Sequence, residues 1–280
     1  MTGERDPRAW WLDDDLMDQF RRQKSHRPSR DDGNWRRGDS GVRVVQANRT
    51  GTPFSRIFGA EPAISISTVP RSTSVWHFSS KEISDLSIAT VAFTVALGFM
   101  FSNGVIGALN NPAGFIVGAA RSLLTLAPAF ILHEIAHKVM AKRYGCWAEF
   151  RADPSGLRFG VILSALTGIV FMAPGAVMVL GRTTKAQFGR IALAGPVTNV
   201  ALWMMGATLI ILGQLTGIRS DVTDLLLITW VWGNGVLALF NMLPFGPLDG
   251  KKIKTWSDTV FWIWLSISAG TIYVNVSLLT

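Results

Sequence analysis

Two histidines and a glutamate stand in a five-residue run inside a strongly apolar segment. The run is His133-Glu134-Ile135-Ala136-His137, within LLTLAPAFILHEIAHKVMAKRY. Residues four apart share one face of a helix, so both imidazoles can reach a single metal ion. Glu134 projects about a hundred degrees round the helix, where it can take a proton from a water activated by that ion. The pattern predicts a hydrolytic centre with one zinc ion per chain, because zinc accepts these ligands and needs no redox partner.

A third protein ligand is expected, because two histidines and a water leave tetrahedral zinc one ligand short. Asp249 is the favoured carboxylate, since it follows an apolar helix in the run Asn241-Met242-Leu243-Pro244-Phe245-Gly246-Pro247-Leu248-Asp249-Gly250. The prolines cannot continue a helix and the glycines permit sharp turns, so the backbone breaks where a carboxylate could be turned inward. The other acidic residues weighed for this role are Glu149, Asp153, Asp221, Asp224 and Asp258.

Long apolar segments dominate the chain after residue 83. The whole sequence is 49% hydrophobic and 16% charged. About 20 apolar residues are needed to cross about 30 Å of hydrocarbon. The predicted fold class is therefore an all-α integral membrane protein with about five to six transmembrane helices, multi-pass in the cell membrane. The predicted segments are 84–103, 121–143, 159–181, 191–213, 223–245 and 257–279.

Basic residues of this region gather in three places, at 138–158, 182–190 and 251–254. Positive charge marks the cytoplasmic side, so we expect these loops and the N-terminus in the cytoplasm. Segment 159–181 then has both flanks on one side, which predicts a re-entrant hairpin, with a plain spanning helix as the alternative. The same topology ends segments 121–143 and 223–245 at one depth, which would bring Asp249 beside the two histidines.

The first 82 residues are predicted to form a polar N-terminal region, and residues 83–280 the membrane metalloprotease domain. The stretch 21–41 lacks apolar periodicity and is expected to be disordered. Residues 9–20 could form a short helix, with a loosely ordered segment favoured over an interfacial anchor, and β-like stretches between 42 and 79 could form a small sheet or pack on the membrane region. No cleaved signal peptide is expected. The pI of about 10.1 does not indicate nucleic-acid binding, because the basic residues of the membrane region lie between apolar runs. The single cysteine excludes a disulfide framework and a cysteine-based metal site.

Three motifs give the sequence a resemblance to a known family. The first is His133 to His137, the second is Gly195-Pro196-Val197-Thr198-Asn199, and the third is Asn241 to Gly250, which carries the pattern Asn-x-x-Pro-x-x-x-Leu-Asp-Gly. Their types and order resemble those of the site-2 protease family of intramembrane zinc metalloproteases. The resemblance covers about residues 82–255.

The resemblance implies cleavage of a substrate's transmembrane segment within the bilayer, with Asp249 as the third zinc ligand. The partners expected are therefore a membrane-protein substrate and the lipid bilayer, with no nucleic acid. In the family a hairpin after the first motif presents a strand edge to the unwound substrate, and residues 171–180 could serve here. A departure from the family is the long apolar stretch 159–170 before this hairpin, which the most compact members lack. Domains of the kind that bind peptide termini are not evident.

Supporting roles and rival functions stay open at this point. Asn241 could hydrogen-bond the substrate backbone or the ligand shell, or tie helices together, and Asn199 is interpreted mainly as a helix-packing residue beside Gly195 and Pro196. One rival is a membrane metalloprotease that acts on soluble peptides. Another is a metal-handling membrane protein in which buried His and Asp side chains line an ion path.

Overall fold

A computed structural model describes residues 74–181 and 183–279. The described residues form eight helices and two strands. The helices are α1 (Ser80–Phe101), α2 (Gly104–Asn110), α3 (Pro112–Arg143), α4 (Pro154–Thr167), α5 (Lys185–Thr216), α6 (Asp221–Asn241), α7 (Asp249–Trp256) and α8 (Asp258–Leu279). The strands are β1 (Trp147–Ala152) and β2 (Gly175–Leu180). The helix predicted at 9–20, the disorder at 21–41 and the β-like stretches up to residue 73 lie outside the described residues.

Five of the described helices are long and apolar enough to cross a membrane: α1, α3, α5, α6 and α8. This confirms the predicted multi-pass helical membrane fold. Two helix bounds differ from those of the predicted segments, because local residues set where each helix begins or ends. Helix α3 begins at Pro112 rather than near 121, because Asn111 caps it by accepting from the N–H of Gly114. Helix α6 ends at Asn241 rather than 245, because Pro244 disfavours helical backbone at the residue before it.

The segment predicted as a re-entrant hairpin leaves the end of β1 and returns to pair with it. Helix α4 has 14 residues, so it is about 21 Å long and too short to span the hydrocarbon. It ends at Gly168, whose φ of 70° suits glycine. The chain then comes back to Gly175, which pairs with Ala152. The alternative of a plain spanning helix is therefore wrong.

The described residues contain a two-stranded antiparallel sheet, and only one of its strands was expected from the sequence. Strand β2 lies inside the stretch 171–180 that the resemblance marked, but β1 was interpreted as a polar loop. The strands pair from Trp147 opposite Leu180 to Ala152 opposite Gly175. Phe150 of β1 is 1% exposed and packs edge-on against Phe130 of α3, with ring centroids 5.9 Å apart. This contact seats the sheet one turn before the paired histidines.

The outer edges of this sheet lie beside buried carboxylates. Phe150 and Val177 face each other across the strands, and the Phe150 N–H points away from β2 to Oε1 of Glu82, 3.1 Å away. The Val177 N–H therefore points outward as well, on the opposite edge, and Val177 lines the same small cavity as Glu134. An edge N–H group in an apolar interior needs a partner, so Glu82 fixes where β1 can sit.

Glu82 is in turn neutralised by Lys138, four residues after Glu134 on the same face of α3. The Lys138 Nζ lies 2.6 Å from Glu82 Oε2 and also donates to the His77 carbonyl at 2.7 Å. The lysine and glutamate side chains are 2% and 1% exposed. Glu82 therefore ties α1, α3 and β1 together at one buried point.

Replacing Lys138 by methionine is expected to destabilise the protein strongly, because it leaves the Glu82 carboxylate buried without a counter-charge. The expected loss is about 3–5 kcal/mol in the free energy of unfolding. The double variant Glu82→Gln, Lys138→Met should recover most of this loss, since no charge is left and the glutamine oxygen can still accept from Phe150. Unfolding in mixed micelles measures both.

The matched control is Lys142→Met, one turn along the same helix, where the lysine donates to the exposed Ser74 carbonyl. Its effect should stay within about 0.5 kcal/mol. A double variant as unstable as Lys138→Met alone would contradict the assignment of the loss to the unpaired carboxylate.

Candidate metal centre

The structure brings His133, His137 and Asp249 together. Nε2 of His133 lies 3.0 Å from Nε2 of His137. Oδ2 of Asp249 lies 3.3 Å from the first nitrogen and 3.0 Å from the second. All three residues are buried, and one ligand atom from each lies within 4.8 Å of the others. The residues come from two elements far apart in sequence, α3 and the start of α7.

The hydrogen bonds of the two rings set their tautomers. Nδ1 of His133 faces Oδ1 of Asn199 at 2.5 Å, and Nδ1 of His137 faces the Ile191 carbonyl at 2.7 Å. The Asn199 amide nitrogen is engaged with the Ala129 carbonyl and with Asn234, so its oxygen is the atom that faces the ring. Both oxygens can only accept, so both Nδ1 atoms carry hydrogen and both Nε2 atoms present lone pairs.

This arrangement fits a divalent cation. Two lone pairs and a carboxylate oxygen that converge at 3.0–3.3 Å repel one another unless a positive charge lies among them. Tetrahedral zinc, with bonds of about 2.0–2.1 Å to nitrogen and oxygen, requires its ligand atoms about 3.3 Å apart. The donor set of two imidazoles and one carboxylate is also one that zinc accepts.

Helix α5 approaches the histidines so closely that only glycine fits at its contact point. A Cβ on Gly195 would lie 2.5 Å from Nε2 of His137 and would also overlap Nε2 of His133. Asn199, one turn further along α5, is fully buried and holds His133. The Gly195-to-Asn199 element, interpreted from sequence as helix packing, therefore does pack helices and also orients a histidine of the cluster.

Asp249 reaches the cluster because the chain breaks sharply after α6. Gly246 has a φ of 59°, and Leu248 is extended, so α7 begins at Asp249 itself. A Cβ on Gly250 would lie 2.7 Å from the Leu243 carbonyl oxygen, so the tight turn requires glycine there too. The Asp249 carboxylate also meets the ammonium group of Lys252 at 3.3 Å, and this positive charge favours its ionised form.

Glu134 lies beside the cluster without belonging to it. It is 8% exposed and lines the same small cavity as Val177 of β2. A carboxylate held next to a metal position and a strand can take a proton from water and return it to a leaving group. The role of Glu134 as the base stays a prediction.

The remaining sequence candidates lie apart from the cluster or make other contacts. The Asn241 amide donates to the Leu237 carbonyl of its own helix at 2.9 Å. The acidic residues weighed as alternative ligands are engaged elsewhere: Glu149 pairs with Arg151, Asp153 caps α4, Asp224 pairs with Arg219, and Asp221 and Asp258 lie in the first turns of α6 and α8.

Three contributors were missed from sequence. The Ile191 contact is made by a backbone carbonyl, so the type of residue at this position could not reveal it. Asn234 is a fully buried amide in an apolar helix, and such residues in a membrane segment are a functional signal. It accepts from the Asn199 amide at 3.0 Å and anchors itself on the Trp230 carbonyl. Lys252 lies one helical turn from the aspartate, in a basic run that was interpreted as a topology signal.

Three known proteins named "putative zinc metalloprotease" are similar to the chain. MJ0611 of Methanocaldococcus jannaschii is 38% identical over 192 residues, which cover 67% of this chain and 91% of MJ0611. Rip3 of Mycobacterium tuberculosis is 33% identical over 162 residues, 58% of this chain and 36% of Rip3. YwhC of Bacillus subtilis is 30% identical over 144 residues, 47% of this chain and 66% of YwhC.

No protein-family model matches the chain, and no solved structure does. The similarity to MJ0611 covers nearly all of that protein, and the two histidines and the aspartate supply a zinc-compatible cluster. This multi-pass membrane protein belongs to the zinc metalloprotease family, and its cofactor is zinc.

Proposed function

We propose that the chain is an intramembrane protease of the site-2 protease type, which hydrolyses peptide bonds in transmembrane segments of membrane proteins. In this proposal His133, His137 and Asp249 bind the zinc ion, Glu134 is the general base, and the N-terminus is cytoplasmic. One observation carries the proposal. The buried cluster lies on a helix of membrane-spanning length, and the proposed base lines one small cavity together with Val177 of strand β2.

The outer edge of β2 suits an extended substrate. In an antiparallel pair, backbone groups alternate between the partner strand and the outside. Because the Val177 N–H points outward from the strand pair, the residues two places away, Gly175 and Val179, share this edge. A peptide that adds to the edge as a third strand would run past Glu134. A helical segment hides its carbonyls in its own hydrogen bonds, so substrates that unwind readily at Gly, Pro or Asn are expected.

In this proposal, different residues of the chain carry out different parts of the peptide-bond hydrolysis. Zinc, when bound by the two histidines and Asp249, supplies a Lewis acid at this position. Glu134 takes a proton from the attacking water while the water oxygen bonds to the scissile carbonyl carbon. Glu134 then delivers this proton to the amine nitrogen as the C–N bond breaks. Asn199 and the Ile191 carbonyl hold the two rings in the tautomer that leaves each Nε2 free to bind metal.

The central test compares zinc content and cleavage of single-span substrates by purified protein in proteoliposomes. The wild type should hold one zinc per chain and cut within the span. Glu134→Gln should keep its zinc and lose about 10²–10⁴-fold in rate, because only the proton transfer is removed. Asp249→Ala should bind zinc more weakly, whereas Asp224→Asn, in an exposed ion pair, should behave as wild type. A Glu134→Gln enzyme that cleaved at the normal rate would refute the assignment.

The same experiment separates the rival functions. A soluble unfolded protein, such as casein, is offered beside the membrane substrates. Preferential cleavage of the soluble protein would favour a membrane metalloprotease of soluble peptides. Zinc flux into the vesicles that survived Glu134→Gln, with no cleavage of any substrate, would favour a metal-handling protein.

A second prediction separates the two buried amides, Asn199 and Asn241. Asn199→Leu removes the acceptor of the His133 Nδ1 hydrogen, so zinc affinity should fall about 10–100-fold, as is common for partners of metal-ligating histidines. Asn241→Leu should leave zinc affinity unchanged, because that amide bonds its own helix. Competition against a chromophoric chelator measures both. If Asn241→Leu cleaves slowly with normal zinc affinity, the amide acts on substrate; if it weakens zinc as much as Asn199→Leu, the structural distinction is wrong.

A further inference from the structure

The two oxygens of the Asp249 carboxylate face different partners. Oδ2 lies toward Nε2 of both histidines. Oδ1 lies 3.3 Å from Nζ of Lys252, one turn further along α7. The aspartate side chain is 8% exposed and the lysine side chain 31% exposed. The partly exposed lysine therefore lies between the buried carboxylate and the protein surface.

We propose that Lys252 is a positioning residue for the zinc ligand Asp249. By holding Oδ1, it keeps the carboxylate turned so that Oδ2 alone faces the metal position. The proposal rests on the ligand set assigned above and adds to it a residue that fixes how the aspartate binds.

The aspartate needs such a second contact because its final torsion is soft. The rotation of a carboxylate about the bond that joins it to Cβ has a broad, nearly twofold preference, so covalent geometry does not choose between one-oxygen and two-oxygen binding. The histidines have their Nδ1 partners in Asn199 and Ile191. Lys252 fixes the orientation of the aspartate carboxylate, as Asn199 and Ile191 fix the orientation of the histidine rings.

Helix stability does not account for a lysine at this place. A pair spaced three residues apart on a helix contributes only about 0.2–0.5 kcal/mol. Lys252 also lies in the first half of an eight-residue helix, where the helix dipole disfavours a cation.

The test measures metal binding on the full-length purified protein. Zinc dissociation constants are determined by chelator competition for wild type, Lys252→Met, Lys252→Arg, Asp249→Ala and the control Lys254→Met. Lys254 lies on the same helix, near the rings of Phe261 and Trp262. Lys252→Met should bind zinc about 10–100-fold more weakly, as loss of a ligand's hydrogen-bonding partner commonly does. Lys252→Arg should stay within about threefold of wild type, since it keeps the charge and a donor.

Cobalt substitution gives a second readout that needs no activity. At saturating Co²⁺, the visible absorption of Lys252→Met should weaken and shift, as coordination expands when both carboxylate oxygens reach the ion. Lys252→Arg and Lys254→Met should keep the wild-type spectrum. If Lys252→Met does not fold, the shorter polar variant Lys252→Gln takes its place.

The outcomes separate this proposal from the one on which it rests. Weaker zinc in Asp249→Ala with unchanged zinc and cobalt behaviour in Lys252→Met would overturn the role of Lys252 and leave the ligand set intact. Unchanged zinc in Asp249→Ala would overturn the ligand set, and the role of Lys252 with it. Equal weakening in Lys252→Met and Lys254→Met would show a general effect of helix charge and would also refute the positioning role.

Discussion

Two imidazole nitrogens that face each other at 3.0 Å, with a carboxylate oxygen against both, form an arrangement that only a cation makes favourable. Much of the surrounding structure serves to hold it. Helix α5 carries glycine where it meets the rings and a buried asparagine where it orients one of them. The chain after α6 turns on two glycines and two prolines so that Asp249 begins the next helix at the same depth. Without the ion, the groups that these features bring together would repel one another and destabilise the fold.

The small sheet follows a second constraint, the need of backbone groups for partners in an apolar interior. A two-stranded sheet has two unpaired edges. Here Phe150 on one edge donates to Glu82, and Val177 on the other strand lines the same small cavity as Glu134. Glu82 is neutralised by Lys138, whereas Glu134 stands next to a histidine of the metal cluster. The position of the sheet relative to the cluster is therefore set by a hydrogen bond as well as by packing.

The sequence allowed the fold class and the ligand cluster to be predicted because both depend on strong local signals. Apolar segments of spanning length, a metal-binding spacing on one helix and a proline-rich break at Asp249 are each visible in one stretch of chain. Strand β1 was missed because WAEFRA carries a glutamate and an arginine, whose polarity hid an alternating strand. The roles of Asn234 and Lys252 were missed, and Asn199 was interpreted mainly as a packing residue, because each of these contacts depends on which helix lies opposite, which no local pattern states. Topology relative to the membrane rests on charge alone and stays a prediction, as do the roles assigned to the site residues.

The sharp break that delivers Asp249 has a consequence for how the molecule assembles. His137 and Asp249 stand roughly a hundred residues apart, and an ion held between them joins the ends of that span as a covalent bridge would. A cross-link that closes a loop of this length restricts the unfolded chain by about 4–5 kcal/mol in the disulfide case, so metal uptake is a folding event as well as a chemical one. Zinc uptake would thus complete the metal centre and the packing of α3 against the start of α7 in the same step.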